Sequence, residues 1–194
     1  SPRFVLNHLS LNEISEIKHQ GKVGVFVNET VEKIVEITAK GKLNYIQLHG
    51  DENESFISEL REKLNTEIKI IKVIRISSIT LNKTKWSEES LRFLVPRKSE
   101  GFDVVNDIDY VLFDTDSKAF GGTGKTFDWN ILNEIEIPKP YFLSGGISSE
   151  NIHQLSAINQ KPFALDINSK FEIEQGKKDL EKIKNFIKIK NYEF

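Results

Sequence analysis

Short runs of β-branched and aromatic residues alternate along this chain with charged stretches whose apolar residues recur at helical spacing, and the pair repeats about six times. Val23-Gly24-Val25-Phe26-Val27 reads as a buried strand, and Val31, Ile34, Val35 and Ile37 after it share one helical face. Tyr45 to Leu48 precedes Phe56, Ile57, Leu60 and Leu64, and Ile68 to Ile76 precedes the stretch Trp86 to Leu94. Tyr110 to Phe113 leads through a glycine-rich loop to Trp129–Ile135. Tyr141 to Leu143 precedes a helix capped by Ser148 or Ser149, with Glu150 in its first turn and Ile152 and Leu155 facing inward. Phe163 to Ile167 precedes Leu180, Ile183, Phe186 and Ile187, and a first amphipathic helix holds Leu11, Ile14 and Ile17. Strands apolar on both faces and separated by helices imply a parallel sheet covered by helices, an α/β fold. Periodicity does not choose between an open sheet and a closed barrel, but both place ligands at the carboxyl ends of the strands.

Composition removes several functions. With Cys 0, these residues hold no disulfide, thiolate zinc site, iron–sulfur cluster or cysteine nucleophile. A formal charge of -2 and a pI of about 6.1 give no basic surface for nucleic acid. Asn, Lys, Glu or Gly interrupts every apolar run before the roughly 18 residues that a membrane span needs. No linker or low-complexity tract divides the 194 residues, so one domain is expected.

The predicted strand ends carry Asn28, His49-Gly50-Asp51, Arg75, Asp114-Thr115-Asp116, Ser144-Gly145-Gly146 and Asp166-Ile167-Asn168-Ser169. Asn28 and Asp51 suit caps and turns. Asp114 follows an apolar strand, where partial burial raises a carboxyl pKa above its ordinary value of about 3.9 and suits it to acid–base work; a cap or salt bridge is the equal alternative. Gly121-Gly122-Thr123-Gly124-Lys125-Thr126 resembles a nucleotide phosphate loop, but a Walker A motif ending there needs glycine at position 119, where Ala119 stands. The loop suits a lid or a backbone site for an anion. Ser144-Gly145-Gly146 and Asn168-Ser169 place backbone donors at the last two strands, where phosphate-binding barrels hold phosphate, which argues for a barrel. No two of the four histidines have helical metal-ligand spacing. His8, His19 and His153 read as surface residues, whereas His49 either contacts substrate or satisfies nearby backbone.

Taken in order, Ser1-Pro2-Arg3-Phe4, Val23 to Asn28, Gln47-Leu48-His49-Gly50-Asp51-Glu52, Phe113-Asp114-Thr115, Gly121 to Trp129, Leu143-Ser144-Gly145-Gly146 and Gly176-Lys177-Lys178-Asp179 resemble the phosphoribosylanthranilate isomerase family along essentially the whole chain. The resemblance implies a (β/α)8 TIM barrel, of which residues 1–194 form a single, N-terminally incomplete domain covering roughly the last six strand–helix units plus helix two. It implies an Amadori rearrangement in tryptophan biosynthesis, from N-(5-phosphoribosyl)anthranilate to 1-(2-carboxyphenylamino)-1-deoxyribulose 5-phosphate. No metal or cofactor is implied. An acid protonates the furanose ring oxygen as the ring opens, and a base removes the C2 proton of the resulting Schiff base.

By the same resemblance Asp114 is the acid and Arg3 pairs with the anthranilate carboxylate. Gly145, Gly146, Asn168 and Ser169 cradle phosphate, Gly122 and Gly124 lie in a mobile loop, and His49 and Asp166 are further substrate-binding positions. The family's base is a cysteine on the first barrel strand, which the resemblance places upstream of Ser1. Lys170 stands where the family commonly has glycine, and its ammonium is expected to contact phosphate. The partners implied are a small phosphorylated substrate and, as monomer or homodimer, a second copy of the chain, with no nucleic acid and no membrane; the location implied is cytoplasmic. The alternatives are another phosphate-binding barrel enzyme, such as indole-glycerol-phosphate synthase or a ribulose-phosphate epimerase, and a noncatalytic binder of phosphate ligands.

Overall fold

The computed structural model describes residues 5–76, 93–94, 104–115 and 126–193, with residues 104 and 190–193 described by backbone alone. Arg3, the stretch Trp86 to Arg92, Asp116, Gly122 and Gly124 lie outside the described residues. The fold is α/β, with six strands in one sheet in chain order: β1 (Val23–Phe26), β2 (Tyr45–Leu48), β3 (Lys69–Ile76), β4 (Tyr110–Thr115), β5 (Tyr141–Leu143) and β6 (Ala164–Leu165). The β1–β2, β2–β3 and β5–β6 pairs are parallel. Two compact units are distinguishable, one built mainly on Arg3–Val73 and Arg92–Val111, the other on Ile74–Leu91 and Leu112–Phe194.

The first unit follows its sequence pattern closely. Helix α1 (Leu11–Glu16) starts in a capping box, in which Ser10 Oγ accepts from Glu13 N and the Glu13 carboxylate accepts from Ser10 N. In α2 (Val31–Gly41), Val31, Ile34 and Thr38 are buried at one-turn intervals beneath the Thr30 N-cap. Helix α3 (Glu54–Lys63) begins where Asn53 Oδ1 accepts from Phe56 N, and it buries Ile57 and Leu60. Its Arg61 reaches Asp109, whose carboxylate also accepts from Ile70 N and pairs with Lys69. The short helix α4 (Val104–Asp107) packs on α3.

One expectation fails in this unit: β1 is not a buried strand. Val23, Val25 and Val27 are exposed, and of this strand only Phe26 is buried. Among the described residues, the strand stands at the end of the sheet order, beside β2.

The second unit uses tighter turns. Ser144 N donates to Phe113 O and Asp166 N to Leu143 O, which extends the parallel ladders just past the strand ends. Phe113 meets Tyr141 edge-on at 5.3 Å between ring centres. The helix expected over Trp129–Ile135 is a 3-10 turn at Trp129–Asn133, and the one after β5 is a 3-10 turn at Ile152–Ala157. The predicted Ser148 or Ser149 cap is replaced by Asn151, which folds back instead: its Oδ1 accepts from Ser148 N and its Nδ2 donates to Gly146 O. Strand β6 is shorter than predicted, and three residues after it the chain leaves extended geometry at Asn168 (φ -135, ψ -94).

An antiparallel hairpin absent from the sequence reading, β7 (Glu172–Glu174) with β8 (Lys177–Lys178), turns at Gly176 before helix α5 (Leu180–Glu193). On α5, Phe186 is buried against Phe171, while Leu180 and Ile187, expected on the inner face, are exposed. Among the described residues, no helix is long and apolar enough to cross a membrane.

Candidate active site

Asp114 is the next-to-last residue of β4 and is half-buried, behind the fully buried run Val111-Leu112-Phe113. The side-chain alternation of a strand sends Asp114 to the face opposite Phe113. Its Oδ1 accepts from Thr115 N at 2.8 Å, which fixes the carboxyl close to its own main chain.

Gly145 closes on the same place from the end of β5. A Cβ there would overlap Thr115 Oγ1 and stand 3.4 Å from Asp114 Oδ1, and the backbone has φ +90. Both facts require glycine: the conformation disfavours a side chain and the space is already taken. Gly146 also has positive φ, and its carbonyl is held by Asn151. The Ser144-to-Ser148 turn is therefore a fixed loop that brings main chain against a half-buried carboxyl. Such a turn suits backbone N–H donation to an anion. Just beyond it, the Ser148 hydroxyl draws the Glu150 carboxyl below its ordinary pKa, with smaller contributions from its own backbone, Lys170 and Lys182.

After β6, Asp166 is half-buried with its N–H on Leu143 O, Ser169 is half-buried, and Asn168 and Lys170 are exposed. Asn168 is held from the hairpin: Lys178 Nζ donates to both its side-chain and main-chain oxygens, and to Glu172 at 2.9 Å. Lys178 was missed in the sequence because its partner follows from a hairpin that no turn signal other than Gly176 announces.

The first unit has its own polar cluster at the end of β2. Glu52 accepts from Gly50 N at 3.0 Å and Asn28 N at 2.9 Å, and it pairs with Lys72 at 2.9 Å; both charged side chains are fully buried. Lys72 Nζ also donates to Gly50 O, and Asn28 Oδ1 accepts from Asp51 N. Asn28 is in the left-handed region (φ 52), and a Cβ on Gly50 would stand 2.6 Å from both Asn28 N and Glu52 Oε1. Neither Glu52 nor Lys72 was singled out in the sequence, although a lysine inside the run Ile70-Ile71-Lys72-Val73-Ile74 requires a buried anion and so signals one. Next to this cluster, half-buried His49 donates its N–H to Phe26 O, and its Nδ1 faces Gln47 Nε2 at 3.2 Å. His8, His19 and His153 are exposed, as expected. Among the described residues, no group of three or more His, Cys, Asp or Glu residues is placed to hold a metal ion.

Residues 1–189 match the family model described as N-(5'phosphoribosyl)anthranilate (PRA) isomerase. An N-(5'-phosphoribosyl)anthranilate isomerase of Parabacteroides distasonis is 40% identical over 167 residues, which are 86% of this chain and 67% of that protein. The crystal structure of phosphoribosyl anthranilate isomerase from Thermotoga maritima superposes with a TM-score of 0.70 at 31% identity, covering 95% of this chain and 82% of that one. A phosphoribosyl anthranilate isomerase in complex with reduced 1-(o-carboxyphenylamino)-1-deoxyribulose 5-phosphate superposes with a TM-score of 0.64 at 27% identity, covering 95% of this chain and 80% of that one.

Proposed function

Because the chain belongs to the N-(5'-phosphoribosyl)anthranilate isomerase family, we propose that it acts in the Amadori rearrangement of N-(5'-phosphoribosyl)anthranilate, with Asp114 as the general acid. The observation that carries the assignment is the half-buried Asp114 carboxyl at the end of β4, with the Gly145 main chain closed against it. In the reaction, Asp114 gives its proton to the furanose ring oxygen as the bond from that oxygen to C1 breaks, and the anilino nitrogen supplies the electron pair that forms the protonated Schiff base. Loss of the C2 proton then gives an enolamine, which tautomerises to the aminoketose. Atoms balance throughout, because the product is an isomer of the substrate. The family resemblance gives the second proton transfer to a cysteine, a residue that these 194 residues do not contain. The described residues supply the acid and, by this reading, the phosphate side.

The remaining assignments follow from the same reading. Gly145, Gly146 and Ser169 offer main-chain donors to the phosphate, with Asn168 held in place by Lys178. Asp166 and His49 contact the substrate, and the resemblance gives Arg3 the anthranilate carboxylate and Gly122 and Gly124 a substrate-binding role. The sheet is that of a (β/α)8 barrel, in which phosphate sites gather at the last strands. The assembly is a monomer or a homodimer.

The test is Asp114→Asn. Turnover is expected to fall at least about a hundredfold while reduced 1-(o-carboxyphenylamino)-1-deoxyribulose 5-phosphate, measured by calorimetry, still binds. Substantial remaining turnover removes Asp114 from the acid role.

A further inference from the structure

Gln47 and His49 stand two residues apart on one strand line, so their side chains leave the same face. Gln47 is buried, and its Nε2 lies 3.2 Å from His49 Nδ1. A carboxamide nitrogen carries two hydrogens and accepts none, so this contact is a hydrogen bond only when Nδ1 has no proton. We propose that Gln47 is a positioning residue that fixes His49 as the tautomer protonated on Nε2, which makes His49 a hydrogen-bond donor toward substrate oxygen and not a proton acceptor at that nitrogen.

The main chain around the imidazole is held as firmly as the ring. His49 N donates to Phe26 O at 2.8 Å. The next residue, Gly50, is gripped at both polar groups: Lys72 Nζ donates to its carbonyl at 3.0 Å, and Glu52 accepts from its N–H at 3.0 Å. With backbone and Nδ1 both engaged, the ring's position and tautomer are set before a ligand arrives. This preorganisation is what a directional donor needs, because which ring nitrogen carries the proton is decided by the bond that the other one makes.

The tautomer also limits the chemistry. An imidazole that already carries hydrogen on Nε2 and accepts at Nδ1 from an amide has no basic lone pair left to offer a substrate proton. It can instead donate to a hydroxyl, carboxylate or phosphate oxygen. That the acceptor is the phosphorylated substrate rests on the reading of His49 as a substrate-binding residue; the tautomer itself does not.

The experiment is a two-bond 1H–15N correlation spectrum of the 15N-labelled protein, with the His49 signals assigned by their loss in His49→Asn. The expected pattern is an unprotonated Nδ1 and a protonated Nε2. In Gln47→Glu the carboxylate accepts where the amide donated, and His49 is expected to gain a proton on Nδ1. Gln47→Met keeps the length without the donor, in case a buried carboxylate prevents folding, and is expected to show the averaged signals of two exchanging tautomers. A proton on Nδ1 in the unsubstituted protein overturns the proposal, as does an unchanged His49 pattern in either folded variant. The substrate KM of Gln47→Met is expected to rise about tenfold with less effect on kcat. A changed tautomer with unchanged KM upholds the Gln47 assignment and removes His49 from the substrate site.

Discussion

The turn after β2, and the end of β4 together with the turn after β5, are made of the same kinds of residue, carboxylates and glycines with an asparagine close by, yet they are arranged for opposite ends. After β2, Glu52 is buried and accepts from two main-chain N–H groups and a buried lysine, so its charge is matched inside the protein. At the end of β4, Asp114 is half-buried, and its Oδ1 accepts from the N–H of Thr115. A carboxylate enclosed by donors that pin three segments together holds the fold. The half-buried one, with a glycine turn against it, stands at the strand end where the proposed acid acts. The difference lies in burial and partners, neither of which residue type reveals.

Exchanging the two carboxylates for their amides should separate these roles most widely. Asp114→Asn is expected to lower kcat by about a hundredfold to ten-thousandfold, the range for a general acid, with little change in the denaturation midpoint. Glu52→Gln should do the reverse: it strands the Lys72 ammonium, and breaking a buried pair in this way costs about 3–5 kcal/mol of stability. Parallel urea denaturation and steady-state kinetics on the two variants check both statements. If Glu52→Gln unfolds no earlier than the unsubstituted protein, the contrast between the two turns collapses.

The glycines allow a finer version of the same comparison. Gly50→Ala places a methyl among Asn28 and Glu52 and is expected to cost about 1–3 kcal/mol of stability through overpacking, with a smaller loss of affinity in the folded fraction than Gly145→Ala causes. Gly145→Ala meets Thr115 at a residue with φ +90, so the turn must shift away from Asp114. Its expected signature is about a tenfold loss of affinity for the reduced aminoketose phosphate, larger than its stability loss predicts. Equal effects of the two substitutions on affinity would show that the two turns are not specialised.

How much of this was legible follows from which interactions are local. The strands and helices α2 and α3 were readable because Ile34, Ile57 and Leu60 recur at the helical period, although their caps are Thr30 and Asn53 and not the Asn28 and Asp51 that the sequence suggests. Asp114 and Gly145 were readable as candidates because each ends an apolar strand. The Glu52–Lys72 pair spans 20 residues and the Lys178–Asn168 contact depends on an unpredicted hairpin, so both needed the tertiary fold. The exposed valines of β1 misled for a related reason: β-branched composition reports extended backbone, whereas burial depends on what packs against each face, which is not local.

The smallest expected effect concerns Lys170, which follows Asn168 and Ser169 in the segment proposed to hold phosphate. It is exposed, and its field already acts on the Glu150 carboxylate, so any attraction for a phosphate is divided and screened. Lys170→Gly should therefore weaken binding of the reduced aminoketose phosphate only about two- to fivefold at low salt, as expected for an exposed charge, and the difference should vanish near 1 M salt, where the screening length falls to about 3 Å. Glu150→Gln should act in the opposite direction, because it releases Lys170 from a competing anion. Unchanged affinity for Lys170→Gly at low salt rules out a phosphate contact by this ammonium. Phosphate recognition would then rest on the main chain of the Gly145-Gly146 and Ser169 turns, and the second unit would bind its anion as the first unit binds Glu52, through backbone N–H groups.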